Sequence, residues 1–183
     1  SFLLAAALYW ERVRGPGFRN NPGGEGKTPP VAAVLIGNPS PETRATELPC
    51  NADFAAFLAN ELAPWIRQRI GTAIPGDRTI IGGSSYGGLA AAYAAHRHPD
   101  LFGNVLSMSG SFWWHPAEGD VEPEWLTREI ARQASRSTRF FLSAGVFETG
   151  REEPGILETT RHLRDVLMAK GYPVTYRDYA AGH

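Results

Sequence analysis

Five consecutive residues, Gly83-Ser84-Ser85-Tyr86-Gly87, constrain this chain more than any other feature. They fit the pattern G-x-S-x-G, with Ser85 at the centre. The apolar run Thr79-Ile80-Ile81 before them predicts a buried strand. The small-residue run Leu89-Ala90-Ala91-Ala92-Tyr93-Ala94-Ala95 after them predicts a helix that can lie close to a sheet. A strand, a sharp turn and a helix expose the central serine at the strand's carboxyl edge. The flanking glycines allow both the strained turn and the close helix–strand approach.

That arrangement is the nucleophile elbow of an α/β-hydrolase. The rest of the chain alternates in the way such a fold requires. Strands are expected at Phe2 to Ala7, Val31 to Ile36, Val105 to Met108, Arg139 to Val146 and Val174 to Tyr179. Val31 to Ile36 is a continuous apolar run, as in a strand buried in a parallel sheet. Gly15 to Pro30 and Asn38 to Pro49 read as loops. Asp53 is the expected N-cap of a helix carrying Phe54, Phe57, Leu58, Leu62, Trp65 and Ile66 on one face, with Pro64 as a kink. A second amphipathic helix starts near Ile156 and ends at Lys170-Gly171. Trp114 to Arg136 has little periodicity and reads as an excursion over the sheet edge. The fold expected is α/β, a mostly parallel sheet covered by helices on both faces. The whole of 1–183 is expected to be one catalytic domain, a fragment lacking the first strands and the last helix.

Composition limits the function classes. Hydrophobic residues are 43% and charged residues 20%, ordinary values for a globular chain. A net charge of −1 offers nothing to a nucleic acid or an anionic membrane. The single cysteine, Cys50, permits no intrachain disulfide, and the expected compartment is the cytoplasm. Phe2 to Trp10 is apolar but too short to span a bilayer.

A serine hydroxyl needs a base to take its proton and an acid to orient that base. In α/β-hydrolases the chain order is serine, acid, histidine. His183 follows the last expected strand, behind Gly182, and is the expected base. His96 and His98 close the elbow helix, His115 lies in a loop and His162 lies within a helix. The expected acid is Glu148, the first carboxylate after the strand that ends at Val146. Glu153 is the main alternative and Asp178 a weaker one. The Tyr86 N–H is the expected oxyanion donor, with a second donor from around Ala5 to Leu8. No metal-ligand spacing occurs, so no cofactor is expected.

Longer stretches carry a family resemblance. They are Arg44 to Phe54, Glu61 to Trp65, Gly82 to Leu89, His98 to Gly103, Leu106 to Trp114, Lys170 to Tyr172 and Gly182-His183. Together they resemble the enterochelin esterase family of siderophore hydrolases, over most of the chain from about Pro30 onward. The resemblance implies a serine esterase that opens the ester bonds of a catecholate siderophore's serine trilactone. It implies a nucleophile at Ser85 and a base at His183. An ungapped match points to Glu153 as the acid, and a gapped one to Glu148. Iron would arrive with the substrate, an iron-siderophore. An anionic, aromatic substrate favours arginine and ring faces, so Arg44, Trp113 and Trp114 are the candidate contacts. The family's Asp-Gly after the early strand is replaced here by Ala5-Ala6-Ala7. Other readings are a general or feruloyl-type carboxylesterase of the same fold, and an inactive siderophore-binding module.

Overall fold

A computed structural model of the protein describes residues 4–9, 31–71, 74–150 and 154–183. The expected loop from Gly15 to Pro30 lies wholly outside them, as do Phe2, Glu152 and Glu153. Among the described residues six strands form one sheet: β1 (Leu4–Tyr9), β2 (Val31–Ile36), β3 (Thr79–Ser84), β4 (Asn104–Met108), β5 (Arg139–Gly145) and β6 (Val174–Tyr179). Their order across the sheet is β2-β1-β3-β4-β5-β6. β3 to β6 pair in parallel, and β1 is antiparallel to both its neighbours.

The described residues also form six α-helices between the strands: α1 (Pro41–Glu47), α2 (Ala52–Phe57), α3 (Ala63–Ile70), α4 (Tyr86–Arg97), α5 (Trp125–Arg132) and α6 (Ile156–Ala169). Alternation along the strands says where the helices lie. Ile81, Val105 and Phe140 sit side by side in the register and are buried. Leu106 and Phe141, one residue on, face the other way and are only half-buried. Leu35 and Met108 are exposed. The described helices therefore gather on one face. There Leu89 to Ala95 of α4, Leu126 and Ile130 of α5, and Leu163 and Leu167 of α6 form a single core with the sheet. Consecutive parallel strands stepping one way across a sheet, each joined by a right-handed crossover, put their helices on one side. No helix among the described residues is long and apolar enough to cross a membrane.

The described helices cover one face rather than both, β2 is an antiparallel edge strand rather than one buried in a parallel sheet, and four local details also differ from the sequence expectation. Asn38 to Pro49 is not all loop, because Ser40 Oγ accepts from the Thr43 N–H and starts α1. The cap of α2 is Asn51 rather than Asp53, its Oδ1 taking the Phe54 N–H at 2.9 Å. The predicted kink at Pro64 is a π-helical turn, Leu58–Leu62, joining α2 to α3. That turn widens the helix just ahead of the ring that cannot donate. The excursion from Trp114 to Arg136 contains α5, anchored by Trp125 against Tyr93 and Trp114. Its charged residues hid the short apolar face from a periodicity reading.

The elbow depends on absent side chains. A Cβ on Gly83 would lie 2.6 Å from the Gly87 carbonyl carbon. Backbone on both sides leaves nothing to swing aside. Gly83→Ala is expected to cost about 1–3 kcal/mol of stability, read as a lower urea midpoint with an unchanged slope.

Candidate active site

β3 ends at Ser84, and the chain turns at Ser85 into α4. Ser85 has φ 57° and ψ −124°, a region nearly reserved for glycine. Its N–H donates to the Met108 carbonyl at 3.0 Å. Its own carbonyl accepts from Gly88, Leu89 and Ser111. These bonds hold the turn so that Oγ stands clear of the sheet. Tyr86 opens α4, so its N–H is among the donors that a helix leaves free at its amino end.

His183 reaches Ser85 through the loops that follow β5 and β6. After β5, Gly145 to Glu148 form a tight turn, with the Glu148 N–H on the Gly145 carbonyl at 3.1 Å. After β6, Tyr179 and Ala181 accept from the N–H groups of Val146 and Phe147. This stitching lays His183 over Glu148. His183 Nδ1 stands 2.8 Å from Glu148 Oε1, and His183 Nε2 stands 3.2 Å from Ser85 Oγ. The Glu148 side chain is 1% exposed, whereas that of His183 is 39% exposed. A buried carboxylate needs donors, and it has them: Ser109 Oγ at 2.8 Å and the Gly145 N–H at 2.6 Å, both on Oε2. The arrangement links a hydroxyl, an imidazole and a carboxylate in the order that proton abstraction requires.

The other candidates go elsewhere. His162 Nδ1 meets Glu124 at 2.7 Å, and His115 Nδ1 lies 2.8 Å from the Pro116 carbonyl. Burial lowers His96 and His98 below the ordinary imidazole range. Asp178 pairs with Tyr176 and with Arg161, and the Tyr176 hydroxyl does most to hold its carboxyl below the usual range. Glu153 lies outside the described residues. The stretch expected to give a second oxyanion donor runs the wrong way. Leu4 pairs with Gly83 and Leu8 with Thr79, so Ala5 to Leu8 lead away from Ser85. Pattern shows a strand without its direction. Through β1, Ile36 is brought level with Gly83, so the loop after β2 opens at the elbow's end of the sheet instead.

Arg44 of α1 lies over the Tyr86 ring, 5.4 Å from its centroid, and Trp113 stands 6.1 Å from the same ring on centroids. The pair therefore flanks the residue after the nucleophile. Trp114 packs edge-on against Trp125 at the rim of the core. Two serines were missed in the sequence. Ser109 touches Glu148, and Ser111 Oγ stands 3.3 Å from Ser85 Oγ. Their only signal was a place in the distinctive run Leu106 to Trp114.

Known proteins match this chain closely. The sequence pattern of a family described as "Putative esterase" covers residues 25–183. The chain belongs to this esterase family. An iron(III) enterobactin esterase of Dickeya dadantii is 35% identical over 166 residues, 86% of this chain and 38% of its own length. One of Escherichia coli K12 is 36% identical over 156 residues, 85% of this chain and 38% of the relative. The enterobactin esterase of Shigella flexneri, solved in the presence of enterobactin, superposes with a TM-score of 0.71 at 32% identity. That match covers 84% of this chain and 38% of the solved one. The chain thus spans about two fifths of these relatives.

Gly145 is the hinge of the site. A Cβ there would lie 2.2 Å from the Ala181 carbonyl oxygen. Gly145→Ala is expected to push the β6 loop off the turn and lift His183 from Ser85. A displacement of this size costs about 10²-fold in reactivity. The rate at which a fluorophosphonate labels Ser85 measures it.

Proposed function

We propose that this esterase-family chain is the catalytic part of a serine esterase that hydrolyses the ester bonds of a catecholate siderophore. The observation that carries the reading is the Ser85–His183–Glu148 chain of contacts on an elbow. The names of the relatives direct it to a siderophore ester. The compartment we assign is the cytoplasm, in keeping with a single, half-buried cysteine, Cys50, that forms no disulfide.

In this mechanism Ser85 Oγ attacks the ester carbonyl carbon. His183 Nε2 takes the serine proton as the new bond forms. The carbonyl oxygen becomes an oxyanion in front of the Tyr86 N–H. Such a donor is worth roughly two to three orders of magnitude in rate. His183 passes its proton to the departing alkoxide, leaving an acyl-enzyme on Ser85. Water, activated by the same imidazole, then releases the acid. Glu148 keeps Nδ1 protonated throughout, so that Nε2 is the nitrogen that takes and returns the proton, and its charge balances the imidazolium. Ferric iron travels with the substrate. Arg44 meets the anionic catecholate groups, and Trp113, partly exposed beside Tyr86, offers a ring face. Trp114 serves the core rim that holds Trp113.

The test is ring opening of a catecholate trilactone, iron-free and ferric, followed by chromatography of the linear products. Ser85→Ala is expected to abolish it. Glu148→Gln is expected to lower kcat by about 10⁴-fold, through loss of the correct tautomer. An intact trilactone beside cleaved p-nitrophenyl acetate would leave a carboxylesterase of another specificity. Failure on both esters by folded protein would leave a binding module. Trp113→Ala is expected to raise KM for the trilactone several-fold and leave KM for p-nitrophenyl acetate unchanged. The two KM values measured side by side decide it.

A further inference from the structure

The turn after β4 holds a second strained residue. Ser109 has φ 48°, where a side chain is unfavourable and glycine is at ease. A serine kept in that conformation supplies something that glycine lacks, and the one addition is the hydroxymethyl group. Its hydroxyl donates to Glu148 Oε2 at 2.8 Å. The backbone around it is fixed, with the Ser109 N–H on the Ser143 carbonyl at 2.8 Å. That bond ties the end of β4 to β5, the strand that leads into Glu148.

We propose that Ser109 is the positioning residue of the catalytic carboxylate, locking Oε2 so that Oε1 faces His183. The inference rests on the serine-esterase reading above. Oε2 is held from two directions, by Ser109 Oγ and by the Gly145 N–H. Two donors on one oxygen stop the carboxylate from rotating about its Cγ–Cδ bond. Oε1 is then left for Nδ1 at 2.8 Å. With one donor gone, the carboxylate can turn about the remaining bond and carry the imidazole off Ser85. Two residues on, Ser111 Oγ stands 3.3 Å from Ser85 Oγ, so one tight turn reaches both ends of the chain of contacts. The strain at Ser109 is balanced by the satisfaction of a buried charge.

Ser109→Gly is the informative variant, because it removes the hydroxyl and relieves the backbone. It is expected to fold, with a thermal midpoint near the parent's, because the relieved strain offsets the lost hydrogen bond and the added freedom of the unfolded chain. Per active site, counted by fluorophosphonate labelling, kcat for p-nitrophenyl acetate is expected to fall at least tenfold with KM unchanged. In ¹⁵N-histidine-labelled protein the Nδ1–H resonance of His183 is expected to shift or vanish, as in Glu148→Gln. Unchanged turnover per site together with an unchanged resonance would overturn the proposal. So would a loss of folded protein that leaves the rate per site intact. If the parent protein cleaves no ester, the esterase reading falls, and the His183 resonance in Ser109→Gly alone decides the role of Ser109.

Discussion

Ser85 occupies a backbone conformation that costs on the order of 1–3 kcal/mol for a residue with a side chain. Everything at the site depends on its being held there. The hold comes from a neighbouring strand as well as from the elbow itself. Met108 accepts the Ser85 N–H, and Ser111 donates to the Ser85 carbonyl. Glycine at 83 and 88 lets β3, α4 and the turn after β4 close to backbone contact. A larger residue at Gly83 would force the strand and helix apart. The parallel pairing of β3 with β4 is thus what makes the strained turn affordable.

The second constraint is electrostatic. Glu148 is a buried charge, and such a charge survives only when its oxygens are satisfied. Three donors from three segments meet it: Ser109 from the β4 turn, Gly145 from the end of β5, and His183 from beyond β6. These are the ends of adjacent strands in the sheet. A parallel sheet brings every carboxyl end to one edge, so residues far apart in sequence converge without long loops.

Family membership and geometry support each other at different levels. The matched pattern identifies an esterase, and the relatives are named as enterobactin esterases. Tyr86 presents its N–H at the helix start and its ring to Arg44 and Trp113. Neighbouring tryptophans divide the work, since Trp113 is partly exposed at the site while Trp114 packs with Trp125.

Much of this was legible in the chain alone. The elbow, the parallel strands from β3 to β6 and the order serine, acid, histidine follow from local pattern and chain order. Local chemistry gives strands and turns their signatures wherever apolar runs and glycines cluster. Short elements escaped it: α1 depends on one serine cap, and α5 on an apolar face brief enough to be masked by charges. The direction of β1 escaped too, because a strand's side-chain pattern reads the same both ways. Tertiary structure alone brought Glu148 rather than Asp178 to His183, since that contact turns on which loops are stitched across the sheet edge. It alone gave Ser109 and Ser111 their places, because a hydroxyl has no periodicity and acquires meaning only from what the fold brings within 3.3 Å of it.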